Sequence, residues 1–136
     1  MRCIVILLLL IFCSIANAEP MPNNLWQGLI AESTKGNLEE YRVIASIVRN
    51  RQVKGLSVGL IALKRKDLTV FVKRELQYNP KLEALTKEAC NDNKDYANGA
   101  THYEHTRQYP VPKWAKGKKV VLVLYKGTKD ELTAWK

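Results

Sequence analysis

A chain of 136 residues with 22 Lys and Arg against 13 Asp and Glu has a formal net charge of +9, and 46% of it is hydrophobic. At this length one domain with a real core is expected, so the same domain must carry both binding and chemistry. The basic balance suits an anionic polymer, but the lysines and arginines are spread over the whole chain with no clustered stripe or stacking motif, which argues against nucleic acid.

Met1-Arg2 gives a positive start, Ile4 to Phe12 is an apolar run, and Ala16-Asn17-Ala18 is a small-x-small cleavage site. Together they read as a secretory signal peptide over residues 1–18, leaving a single domain over 19–136 in a secreted or periplasmic protein. The apolar run of about a dozen residues is short of the roughly 20 that a membrane span needs, so no span is expected after cleavage. Phe12 is too bulky ahead of Cys13 for a lipoprotein site. Without Cys3 and Cys13 only Cys90 remains, so no internal disulfide can form and the core must supply stability. His102 and His105 have no second cysteine to join them, and neither metal nor cofactor is expected.

Asn24 with Gln27 reads as a capping-box start to a first helix carrying Leu25, Trp26, Leu29 and Ile30, which Gly36 stops soon after Glu32. Asn37 with Glu40 starts a second helix, whose apolar positions Tyr41, Ile44, Ala45, Ile47 and Val48 recur at three and four. Ser57 to Leu76 is read as helical with a break. Asn79-Pro80 then opens a helix from Lys81 to about Asn91. Cys90 on that helix reads as a small buried hydrophobe rather than a nucleophile. After a turn-rich stretch, Ala100 to His105 and Lys119 to Tyr125 read as strands, the second of them buried because Val120 to Leu124 are all apolar. Helices over two thirds of the chain followed by a small antiparallel sheet near the C-terminus make an α+β fold.

Glu32 stands out. It ends an apolar helix in Leu29-Ile30-Ala31-Glu32-Ser33-Thr34-Lys35-Gly36-Asn37, where an acid at the wall between a helical core and an aromatic strand region can protonate a glycosidic oxygen. That segment, then Val43-Ile44-Ala45-Ser46-Ile47-Val48-Arg49-Asn50-Arg51, Asn98-Gly99-Ala100-Thr101-His102-Tyr103 and Pro112-Lys113-Trp114-Ala115, resembles in this order the cell-wall hydrolases of the spore-cortex-lytic type. The resemblance covers roughly Leu25 to Leu124 and implies a small lysozyme-like enzyme that cuts peptidoglycan glycan strands as a lytic transglycosylase, acting as a monomer. Two positions depart from the family. Asn37 stands where the family usually has an acid, although Asn caps a helix as well as Asp. The family usually ends in a histidine-aromatic pair, whereas residues 126–136 here form a different tail, which leaves one wall of the cleft undefined.

The resemblance implies that one acid suffices. Glu32 would protonate the leaving oxygen between N-acetylmuramic acid and N-acetylglucosamine, then take the proton of the muramic acid 6-hydroxyl as a 1,6-anhydro ring closes. An ordinary hydrolase would need a second carboxylate, for which Glu104 and Asp95 are nearest. Burial against Ile30 and the Tyr103 strand is expected to help Glu32 hold its proton. The competing roles for Glu32 are purely structural, a cap for the next helix or a partner for Arg51. Gly99 and Ala100 would let backbone approach a sugar, Thr101, His102 and Tyr103 would line the cleft floor, and Tyr103, Tyr109 and Trp114 would offer ring faces. His102 reads as a hydrogen-bonding strand residue and His105 as exposed, and replacement of Glu39, Glu40 or Glu104 is expected to change the cleavage rate far less than that of Glu32. A soluble lytic transglycosylase of the goose-lysozyme-like group ranks second among enzymes, since no Gly-Leu-Met-Gln segment and no Ala-Tyr-Asn motif follows. The alternative outside enzymes is a non-catalytic glycan-binding or lysozyme-inhibiting protein, favoured by the departing tail.

Overall fold

The computed structural model describes residues 20–136, so the leader at residues 1–18, with Cys3 and Cys13, lies outside the described residues. Among these the fold is α+β: α1 (Leu25–Glu32), α2 (Leu38–Val53), a 3-10 turn (Ile61–Lys64), α3 (Leu68–Tyr78), α4 (Lys81–Asn91), β1 (His102–Glu104), a short turn at Lys113–Ala115, β2 (Val120–Leu124) and β3 (Leu132–Trp135). No helix among the described residues is long and apolar enough to cross a membrane.

Helix α1 packs against α3, α4 and the 3-10 turn, and α2 against α4 and β1. The stripe Tyr41, Ile44, Ile47 and Val48 of α2 meets Leu29 of α1 in a core where all five are buried. The helix starts differ from one another in chemistry. Asn37 caps α2, its side-chain oxygen accepting the Glu40 N–H at 3.0 Å, as the sequence suggests. Asn24 makes no side-chain cap bond, so the expected capping box at α1 does not form; its backbone carbonyl instead accepts the Gln27 N–H at 3.0 Å. Pro80, which has no N–H to leave unpaired, precedes α4.

The antiparallel sheet has the order β1-β3-β2, with His102 opposite Trp135 and Leu124 opposite Leu132. Two expectations are corrected here. Strand β2 is an outer strand, not a buried one, with Val120 48% and Val123 37% exposed. The apparent tail supplies β3, the central strand, every residue of which is buried. A four-residue strand with partners on both sides draws its stability from those partners, so its own sequence carries little signal. The loop between β2 and β3 is tied to the helical half through Tyr125, whose hydroxyl lies 2.8 Å from Asn37 Oδ1 and 3.1 Å from Glu39 Oε2.

Candidate active site

Glu32 is the last residue of α1 and is half-buried, its carboxylate held from two sides. The N–H of Ala62, in the first part of the 3-10 turn where backbone donors have no partner of their own, donates to Oε1 at 3.0 Å. The hydroxyl of Tyr103 in β1 donates to Oε2 at 2.8 Å. Burial first, and then the adjacent Glu32, push the Tyr103 phenol well above its ordinary value, so it stays a neutral donor. Neither structural role considered for Glu32 applies: Asn37 is the cap of α2, and Arg51 donates to the carbonyls of Ser57 and Thr101 at 2.7 and 2.9 Å.

Two residues that the sequence does not single out frame this acid. His105, expected to be exposed, is only 5% exposed, and its Nε2 donates to the Glu32 carbonyl at 3.0 Å, one of the carbonyls that the end of α1 leaves without a helical partner. A carbonyl can only accept, so Nε2 carries the hydrogen. Glu40 is fully buried behind the same helix end, where its carboxylate accepts from the Ser33 hydroxyl at 2.6 Å, the Lys35 N–H at 2.8 Å and the Thr34 N–H at 3.1 Å. The Ser33 hydroxyl accepts in turn from the N–H of Gly36, whose φ of +67° is one that a side chain would resist. The loop that ends α1 is therefore wrapped around a carboxylate from α2. Extending the α2 stripe back from Ile47 and Ile44 by one turn reaches Glu40, and that phase is the sequence signal that could have found it.

Burial under three donors gives Glu40 a structural role, apart from the small effect on cleavage rate expected for its replacement. An amide at that position has one acceptor oxygen for three donors, so Glu40→Gln is expected to cost about 2–3 kcal/mol and to lower Tm by roughly 10 °C. Thermal unfolding of the purified variant checks it, with Glu39→Gln, an exposed neighbour, close to unchanged.

The carboxylate of Glu32 opens onto a cleft of about 550 Å³ whose wall includes Ser33, Arg65, Glu104 and Tyr109, the last 56% exposed. Gly59, Ile61, Tyr103 and Glu104 are shared with a second, smaller hollow lined by Arg51, Thr101, His102 and Trp114, so the two form one groove with Tyr103 in its middle. Trp114 is 41% exposed, with its ring centroid 5.0 Å from that of His102 and 5.3 Å from that of Trp135. Glu32, His102, Tyr103, Tyr109 and Trp114 are thus brought together. Thr101 borders the groove but is itself buried, its hydroxyl 2.8 Å from His102 Nδ1. Ala100 is fully buried in the core, and Gly99 lies in a separate hollow beside Asn50, Lys54 and Lys136. Asp95 also lies off the groove, accepting from the Ala97 and Gly99 N–H groups at 2.8 and 2.7 Å. Glu104 is the carboxylate that shares the cleft wall with Glu32.

A hollow of about 630 Å³ lies elsewhere, bordered by Met21, Trp26, Arg49, Lys87 and Cys90, with no carboxylate or histidine among the described residues of its wall. Burial pushes the Cys90 thiol up to about 11, so it stays protonated and is a poor nucleophile. Among the described residues no group of His, Cys, Asp and Glu could hold a metal ion. No protein-family model, curated protein or solved structure matches this chain.

Proposed function

We propose that this protein cleaves peptidoglycan glycan strands between N-acetylmuramic acid and N-acetylglucosamine as an exported lytic transglycosylase, with Glu32 as both acid and base. The fold would be a reduced lysozyme-like one, helices and a small sheet meeting at the cleft. One observation carries the reading: a single carboxylate at a helix end, fixed by the Ala62 N–H and the Tyr103 hydroxyl, in a groove with exposed rings toward both ends.

Each Glu32 oxygen accepts one hydrogen bond and keeps a lone pair for a proton. The protonated acid delivers that proton to the glycosidic oxygen as the bond to the muramic acid anomeric carbon breaks. The two fixed donors stabilise the carboxylate that develops, with no reorganisation needed at that moment. The muramic acid 6-hydroxyl then attacks the oxocarbenium-like carbon, and its proton returns to Glu32. No water is consumed and the acid is regenerated. Tyr109 and Trp114 present ring faces suited to the apolar faces of sugars.

Digestion of purified sacculi in isotopically labelled water tests the reading. The expected products end in anhydromuramic acid, lighter than the hydrolytic product by one water, and carry no label. Stoichiometric label in the reducing ends would make the enzyme a hydrolase, with Glu104, which also lines the cleft, as its second carboxylate. Binding without any turnover would favour the non-catalytic glycan binder.

A further inference from the structure

The Ala62 N–H and the Tyr103 hydroxyl hold Glu32 by its carboxylate oxygens, and both bonds weaken when that group takes up a proton, because an acceptor loses strength with its charge. The main-chain anchor does not change in that way. His105 Nε2 donates to the Glu32 carbonyl at 3.0 Å, a contact that is the same whether the side chain is acid or carboxylate. Among the described residues it is the one hydrogen bond of the ring, since Nδ1 is buried with no partner. The ring is also fixed from its own side. The His105 N–H donates to Glu104 Oε1 at 3.0 Å, and the His105 carbonyl accepts the N–H groups of Gln108 and Tyr109, each at 3.0 Å. The rings of His105 and Tyr103 meet edge to face, with centroids 6.0 Å apart and planes at 83°. One side chain thus ties the end of α1 to Tyr103 and to the turn that leads into Tyr109, with its Nε2 3.9 Å from the buried Glu40 Oε1.

We infer that His105 is a positioning residue for the acid, holding Glu32 in line with the scissile bond while it still carries its proton, a role that rests on the glycan-cleaving function proposed above. The last carbonyls of a helix have no partner within it, and a helix of eight residues has little of its own to stop its last turn from fraying. His105 supplies the missing partner. With that carbonyl held, the Glu32 backbone is fixed and only the side-chain torsions remain to be set. A proton donor displaced by about 1 Å forfeits much of the advantage of being held beside the leaving oxygen. His105 is buried and offers almost no surface to a sugar, so its loss falls on turnover and not on binding.

Cleavage of solubilised glycan strands, with kcat and KM taken per folded molecule, tests this with two substitutions. His105→Phe keeps a ring but has no N–H, and it is expected to lower kcat about tenfold with KM within about twofold of wild type. His105→Gln carries an amide N–H at the reach of Nε2 and should keep kcat within about threefold of wild type. A histidine that served stability alone would lower Tm and leave kcat per folded molecule untouched. Wild-type kcat in folded His105→Phe, or a loss of about tenfold in folded His105→Gln, overturns the positioning role and leaves the glycan-cleaving function standing. The second of these outcomes can be read even where His105→Phe does not fold. Wild-type protein that releases no muropeptide overturns both.

Discussion

Glu32→Gln is expected to fold normally and to lower glycan cleavage by about 10² or more, because the amide fills the same space but has no proton to give. The site can accommodate the change. The Gln oxygen can accept the Ala62 N–H that now points at Oε1, and its NH₂ can donate to the Tyr103 hydroxyl, which rotates to accept. Thermal unfolding should therefore move little while turnover collapses, and that contrast separates a chemical role from a structural one. Release of muropeptides from sacculi, normalised to folded protein, is the measurement. Cleavage near the wild-type rate would remove Glu32 from the mechanism.

The second large effect is on folding. A chain ending at Asp130 loses β3, and with it the strand to which both β1 and β2 are hydrogen-bonded. Leu132, Ala134 and Trp135 leave the core together, and the N–H and carbonyl groups of two strands lose their partners. Leu132→Ala alone is expected to cost about 2–5 kcal/mol. Against a net stability of about 5–15 kcal/mol for a typical domain, loss of the whole strand should abolish cooperative unfolding. Near-ultraviolet circular dichroism and a thermal melt check this. A truncated chain that melts within a few degrees of the full one would show that the sheet does not depend on β3. Because β1 carries Tyr103, the same truncation should also dismantle the support of Glu32.

The helical half was legible because its signals are local. The three-and-four spacing of Tyr41, Ile44, Ile47 and Val48, the Asn37 cap and the Pro80 start each act within a turn or two of helix, and each stands where the sequence places it. The suspicion attached to Glu32 was local as well, an acid at the end of an apolar helix. Its surroundings were not. Tyr103 lies 71 residues away along the chain and Ala62 lies 30, and only the docking of β1 and the 3-10 turn against α1 brings their donors to the two carboxylate oxygens.

The same division explains the corrections. His105 lies just beyond a short strand, and no local pattern says that its ring will cover the end of α1 and take up a helix carbonyl. Glu40 resembles Glu39 in composition and differs in helix phase alone, yet one is buried under three donors and the other is exposed. Leu132 to Trp135 has too few residues to show an alternation, and it becomes a strand because two neighbours offer their edges. Sequence by itself determined the α+β order, the helix starts at Asn37 and Pro80, and the choice of Glu32 as the acid worth testing, because those depend on nearest neighbours along the chain. Tertiary structure alone decided which carboxylate is buried, which strand is central and which donors hold the acid, because hydrogen bonds and burial are settled by neighbours in space.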